Sequence, residues 1–127
     1  MPRLARSLQL LLVAGLAVGT ATHVENIARA GLIPRPELPL ACNLFWSSLV
    51  LLDPLAAAIL LWRPRVGVIC LLALIGADLL VNVTTLGLTP PVLVQVGYAL
   101  LVLIALPILR RATAPGSRRA VADRANP

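Results

Sequence analysis

The sequence predicts an all-α protein, a four-helix transmembrane bundle of up-down order. Three observations lead there. Four apolar runs, at about 8–30, 40–62, 66–86 and 92–109, are each long enough to cross a hydrocarbon layer. Between the runs the chain is cut by proline, glycine and arginine. And 59% of the 127 residues are hydrophobic while 13% are charged, more apolar surface than a small soluble domain can hide. The mean hydropathy is +0.93.

The first run opens like a secretory leader, with Arg3 and Arg6 ahead of the apolar stretch Leu8–Ala21, and Gly19/Ala21 and Ala28/Ala30 are spaced as small-residue cleavage pairs. The helical pattern runs on past them. Gly15, Gly19, Thr22 and Asn26 fall three or four residues apart and keep one small, polar face. An uncleaved span ending near Ala30 is expected. Gly31 suits a helix end, and Pro34, Pro36 and Pro39 prevent continuation, so 31–39 reads as an extended exposed loop.

The second run, Leu40–Trp62, holds Trp46 and Trp62 toward its two ends, where interfacial aromatics belong, and Pro54 directly after Asp53 should kink it. The turn Arg63-Pro64-Arg65 is short enough to make the second and third spans antiparallel neighbours. Val66–Leu86 is the third span, 87–91 an uncharged loop, and Val92–Leu109 the fourth span, with Pro107 near its end. From 110 to 127 the chain is polar, carries five arginines and is expected to be a disordered basic tail.

Orientation follows from the arginines. All eleven basic residues are Arg. With four spans, nine of them fall on the side of the termini and only Arg29 and Arg35 on the other, where Glu25 and Glu37 balance them. The positive-inside rule then places both termini in the cytoplasm. The all-Arg, Ala- and Leu-rich composition is associated with GC-rich bacterial genomes, and so with a bacterial plasma (inner) membrane. Charge placed at span ends argues against nucleic acid as a partner. The bilayer is the expected partner, with anionic lipid touching the Arg-rich tail; a second copy or another membrane protein is left open. Cys42 and Cys70 would lie near opposite faces, roughly 20 Å apart at the rise of a helix, too far for a disulfide. They read as small packing residues, and no cofactor or metal pattern accompanies them.

Two acids, Asp53 and Asp78, sit within apolar runs, where a charge costs a few kcal/mol at least. In the third span Gly67, Leu71, Leu74, Asp78, Asn82 and Thr85 form one narrow face, polar from Asp78 onward. Asn43, Ser47 and Asp53 share a side of the second, His23 and Asn26 extend the polar face of the first, and Gln95 and Tyr98 pair on the fourth. Counted from the turn, the acids lie roughly 15 and 20 Å from the cytoplasmic face. The expectation is a dry cytoplasmic half and a polar outer half, floored by the two acids. Its candidate site is Asp53, Asp78, Asn82, His23, Asn26, Asn43, Ser47, Gln95 and Tyr98.

That constellation supports three functions. The first is a non-catalytic membrane component whose polar groups fasten helices together, Asp78 with Asn82 and Asp53 with Ser47 or the carbonyls freed by Pro54. The second is a small transporter, ligand-binding or proton-coupled protein using Asp53 and Asp78, since two close carboxylates without a fixed cation would share a proton. The third is a membrane enzyme on a lipid-soluble substrate, with His23 and an acid carrying protons. Nucleophile motifs, phosphate loops and CxxC pairs are absent, and catalytic residues are not assigned.

The run Asn43-Leu-Phe-Trp-Ser-Ser-Leu, then Leu52-Asp53-Pro54-Leu55, Arg63-Pro64-Arg65 and Asp78 with Asn82 resembles uncharacterised small four-span bacterial membrane proteins. In architecture the chain is also similar to DoxX-like proteins and to sterol-isomerase-like bundles, which implies four helices around an intramembrane pocket holding acids.

Overall fold

The computed structural model describes residues 1–113. Among these it is all helix and connecting turn: α1 (Arg3–Ala30), α2 (Leu40–Trp62), α3 (Pro64–Leu86) and α4 (Pro90–Ala112). All four are long and apolar enough to cross a membrane. A helix of 23 residues, the length of α2, α3 and α4, spans about 35 Å against roughly 30 Å of hydrocarbon. Large apolar side chains such as Val18, Leu51, Leu80, Val94 and Ile104 face outward, as they must where the solvent is lipid.

Local chemistry explains the helix ends. Gly31 and Gly87 follow α1 and α3 with φ of 77° and 68°, a left-handed backbone that glycine adopts without penalty. Their N–H groups donate to Ile27 O and Val83 O, closing the last turns. Pro64 and Pro90 start α3 and α4, where a missing N–H costs nothing and the fixed φ suits the helix. For this reason the link between α2 and α3 is shorter than the sequence implies. Only Arg63 lies between the two helices.

Three other boundaries differ from expectation. α1 starts at Arg3, within the basic leader-like segment; α4 starts at Pro90 rather than Val92, proline being suited to a first helical turn; and α4 continues through Arg110 and Arg111 to Ala112. Basic side chains suit the carbonyl end of α4. The expected disordered tail falls outside the described residues from 114 onward.

α2 packs against α1 and α3, and α4 against α3 and α1, the last of these contacts being the slightest. Side chains tie the beginning of one helix to the end of another. Gln9 Nε2 donates to Leu60 O at 2.6 Å, and Arg65 Nε to Arg110 O at 3.0 Å. Between these ends lies an apolar core of Leu12, Leu60, Val68, Leu71, Val102 and Leu109. At Gly67 the crossing of α2 and α3 is so close that a Cβ would strike the Leu60 backbone.

The expectation of a dry half is corrected here. Gln9 is fully buried among these apolar residues. Its amide nitrogen reaches Leu60 O and its oxygen accepts from Arg6 Nη1 at 2.8 Å. An amide in an apolar span must find partners inside the protein, and Gln9 finds them on the next helix and one turn back on its own.

Candidate functional site

Away from the apolar core, the bundle holds a polar network on three helices. On α3, Asp78 and Asn82 are one turn apart, which lets Asn82 Nδ2 donate to Asp78 Oδ1 at 3.0 Å. From α4, Gln95 Nε2 donates to Asp78 Oδ2 at 2.8 Å, and Gln95 Oε1 accepts from Asn82 Nδ2 at 2.9 Å. The three side chains close a ring. From α2, Trp46 Nε1 donates to Asn82 Oδ1 at 2.8 Å. Both oxygens of Asp78 are therefore held by amides, and no cation pairs with them among the described residues.

Trp46 is a correction. Its position near the start of α2 suits an interfacial aromatic, yet the ring is turned inward and buried. Trp62, at the other end of α2, is exposed as expected.

Asp53 has a different environment. It is 7% exposed, and among the described residues no side chain or backbone group donates to it and no cation pairs with it. The partnership with Ser47 does not form, because Ser47 Oγ donates to Leu32 O in the loop at 2.8 Å. The Asp53 carboxylate instead lies against α1 at Gly19, where an added Cβ would come within 2.8 Å of Oδ2. No buried side-chain nitrogen or oxygen that is closed off from solvent lacks a partner among the described residues. The freedom of Asp53 thus reflects a carboxylate facing open space.

That space is a cavity of about 450 Å³, within the range of small-molecule sites. Asp53, Asp78, Gln95, Tyr98, His23 and Thr22 supply its polar lining; leucines of α1, α2 and α3 with Val18, Ile75, Pro91 and Val94 supply most of the apolar remainder. Tyr98 stands at the α1–α4 boundary. Its ring fits the gap left by Gly15, and its hydroxyl donates to Leu12 O at 2.6 Å. Thr22, His23, Pro91 and Gln95 also line a second cavity of about 370 Å³, so the two adjoin. This outer vestibule is bordered by Asn26, Arg29, Arg35, Ser47 and Asn82. Arg29 pairs with Glu25 and Arg35 with Glu37.

Comparison with family models, curated proteins and solved structures finds no match. Function has to be read from the side chains themselves.

The structure brings together Asp53, Asp78, His23, Gln95 and Tyr98 around the inner cavity, with Asn26, Ser47 and Asn82 at the vestibule. Asn43 belongs elsewhere. It is fully buried and fastens the 31–39 loop, accepting from Arg35 N at 2.9 Å and donating to Arg35 O at 2.8 Å. His23 is half-buried and makes no hydrogen bond to an acid among the described residues. Both cysteines are free and half-buried, and no group of three metal-ligating side chains occurs among the described residues. Sequence reasoning missed Trp46 and Gln9. The signal for Gln9 was present: a lone amide in an apolar span implies a partner across the helix boundary.

Proposed function

We propose that the protein is an integral membrane protein of the bacterial inner membrane that binds a small molecule in the cavity above Asp53, without performing chemistry on it. The supporting observation is the buried carboxylate of Asp53, which faces a cavity and has no partner among the described residues. A polar group kept only to join helices finds a mate on the neighbouring helix; Asp53 does not. In this reading the helices run up and down with both termini cytoplasmic. The Arg-rich ends of α1, α3 and α4 and the charge-balanced 25–37 region support that orientation.

Substituting Asp53→Asn separates this function from a structural one. The change keeps shape and removes charge. Melting in detergent should be unaltered or slightly raised, as is common when a functional acid is neutralised. A loss as large as that expected for the Asp78 network would sink the proposal. Orientation is tested by a membrane-impermeant maleimide on intact cells: Cys42, in the first turn of α2, should be labelled from outside and Cys70 should not. Labelling of Cys42 only after the cells are opened would reverse the topology.

A second reading, a packing scaffold, is favoured by the closed ring of Asp78, Asn82 and Gln95 with Trp46. The two readings divide the acids between them. Asp78 fastens helices, and Asp53 serves the cavity.

A further inference from the structure

Resting on the reading of Asp53 as a binding group, we propose that the cavity takes an amphiphile with a single protonated amine, and that the molecule arrives sideways from the bilayer between α1 and α4. The chemistry of the lining selects the head group. An ionised carboxylate only accepts hydrogen bonds, so its mate is a donor. Most other polar groups of the lining are committed: Tyr98 donates to Leu12 O, Thr22 to Val18 O, and Gln95 is used on Asp78 and Asn82, while His23 makes no hydrogen bond to either acid among the described residues. Among the described residues no arginine lines the inner cavity. A carboxylate without a donor or counter-charge among the described residues, in a cavity that the amide-held Asp78 also lines, favours a cationic donor above a neutral one. The remaining lining, Leu16, Leu49, Leu71, Leu74, Ile75 and Val94, fits an apolar body with few further polar groups.

The route follows from the seam. α1 and α4 touch least among the neighbouring helices. Val18 and Thr22 of α1 and Pro91 and Val94 of α4 line the cavity and are also exposed on the outer surface of the bundle. The cavity thus reaches the lipid-facing side through an uncharged border. The alternative way in, through the vestibule, passes Arg29, Arg35 and His23. A molecule with an apolar tail is better matched to the seam. Gly19 keeps the carboxylate within reach of it, because any larger residue would crowd Asp53 Oδ2.

The test uses the full chain in phosphatidylcholine nanodiscs, with dodecylamine, dodecanol and dodecanoic acid as probes and the shift in melting temperature as the readout. Dodecylammonium should bind about tenfold or more tightly than dodecanol, the margin of a charge-assisted hydrogen bond, and dodecanoate should not bind. Asp53→Asn should erase that margin while melting like the parent. Equal binding of amine and alcohol, or undiminished amine binding by Asp53→Asn, would overturn the ligand class. If no probe binds and Asp53→Asn is stable, the amine class fails and the Asp53 site stands. If Asp53→Asn itself unfolds the protein, the reading of Asp53 as a binding group fails. For the route, dodecylamine association is timed separately by stopped-flow mixing: Val94→Trp should slow it, and Leu100→Trp, on the exposed face of α4 away from the cavity, should not. An unchanged rate in Val94→Trp would overturn access through the seam.

Discussion

Replacing Asn82 with Leu is expected to destabilise the protein by about 3 kcal/mol, since each unsatisfied buried group costs roughly 1–3 kcal/mol. Asn82 is the centre of the polar ring. Its oxygen holds Trp46 of α2, and its nitrogen serves Asp78 of its own helix and Gln95 of α4. Leucine keeps the bulk and removes all three bonds. Trp46 Nε1 is left without an acceptor, Asp78 with one donor, and Gln95 Oε1 without its donor. Lipid supplies no water to repair them, although single interhelical bonds in membranes average well under 1 kcal/mol because alternative partners are found. The estimate rests on several groups failing together, as half-broken buried networks do. Reversible unfolding in mixed micelles measures it. A loss smaller than that of Gln95→Leu, which removes fewer bonds, would show that the ring does not act as a unit.

The second large effect is expected at Gly67. Gly67→Val should cost about 3 kcal/mol, the upper part of the usual range for overpacking. The added carbons meet Leu60 backbone rather than the end of a movable side chain. With only Arg63 joining α2 and α3, the two helices have little freedom to move apart at this point. Gly76, where a Cβ meets nothing within 4 Å, is the internal comparison. Gly76→Val should change stability far less, and equal losses at both positions would show that backbone proximity at Gly67 is not the cause.

These two sites show what the amino-acid order discloses. The four helices were legible because lipid demands long unbroken apolar runs, and because Gly31, Pro39 and Gly87 mark ends; the starts at Pro64 and Pro90 were each placed two residues late, since a proline reads as a break although it suits the first turn of a helix. The grouping of polar residues was legible from helical spacing. Asp78 and Asn82 share a face, and so do Gln95 and Tyr98. Spacing tells which residues of one helix look the same way. It does not tell which helix they look at. For that reason the different fates of Asp53 and Asp78 were hidden. Asp78 is satisfied by Gln95 from a helix whose rotation the sequence does not state, and Ser47, the candidate mate of Asp53, turns to the loop instead. Trp46 was misplaced for a related reason. An aromatic near a span end fits the interface by depth, and only its rotation about α2 carries it inward.

The single residue joining α2 and α3 has a consequence for how the chain is made. During synthesis an emerging span is ordinarily free to settle in the bilayer before its successor leaves the ribosome. Here no slack exists to let α2 wait in a final position while α3 is threaded. The pair should leave the insertion machinery together as one helical hairpin: α2 should stay crosslinkable to the insertion channel in stalled nascent chains in which α3 is still inside the ribosome, and should lose that crosslink once α3 has emerged; release of α2 before α3 emerges would refute it.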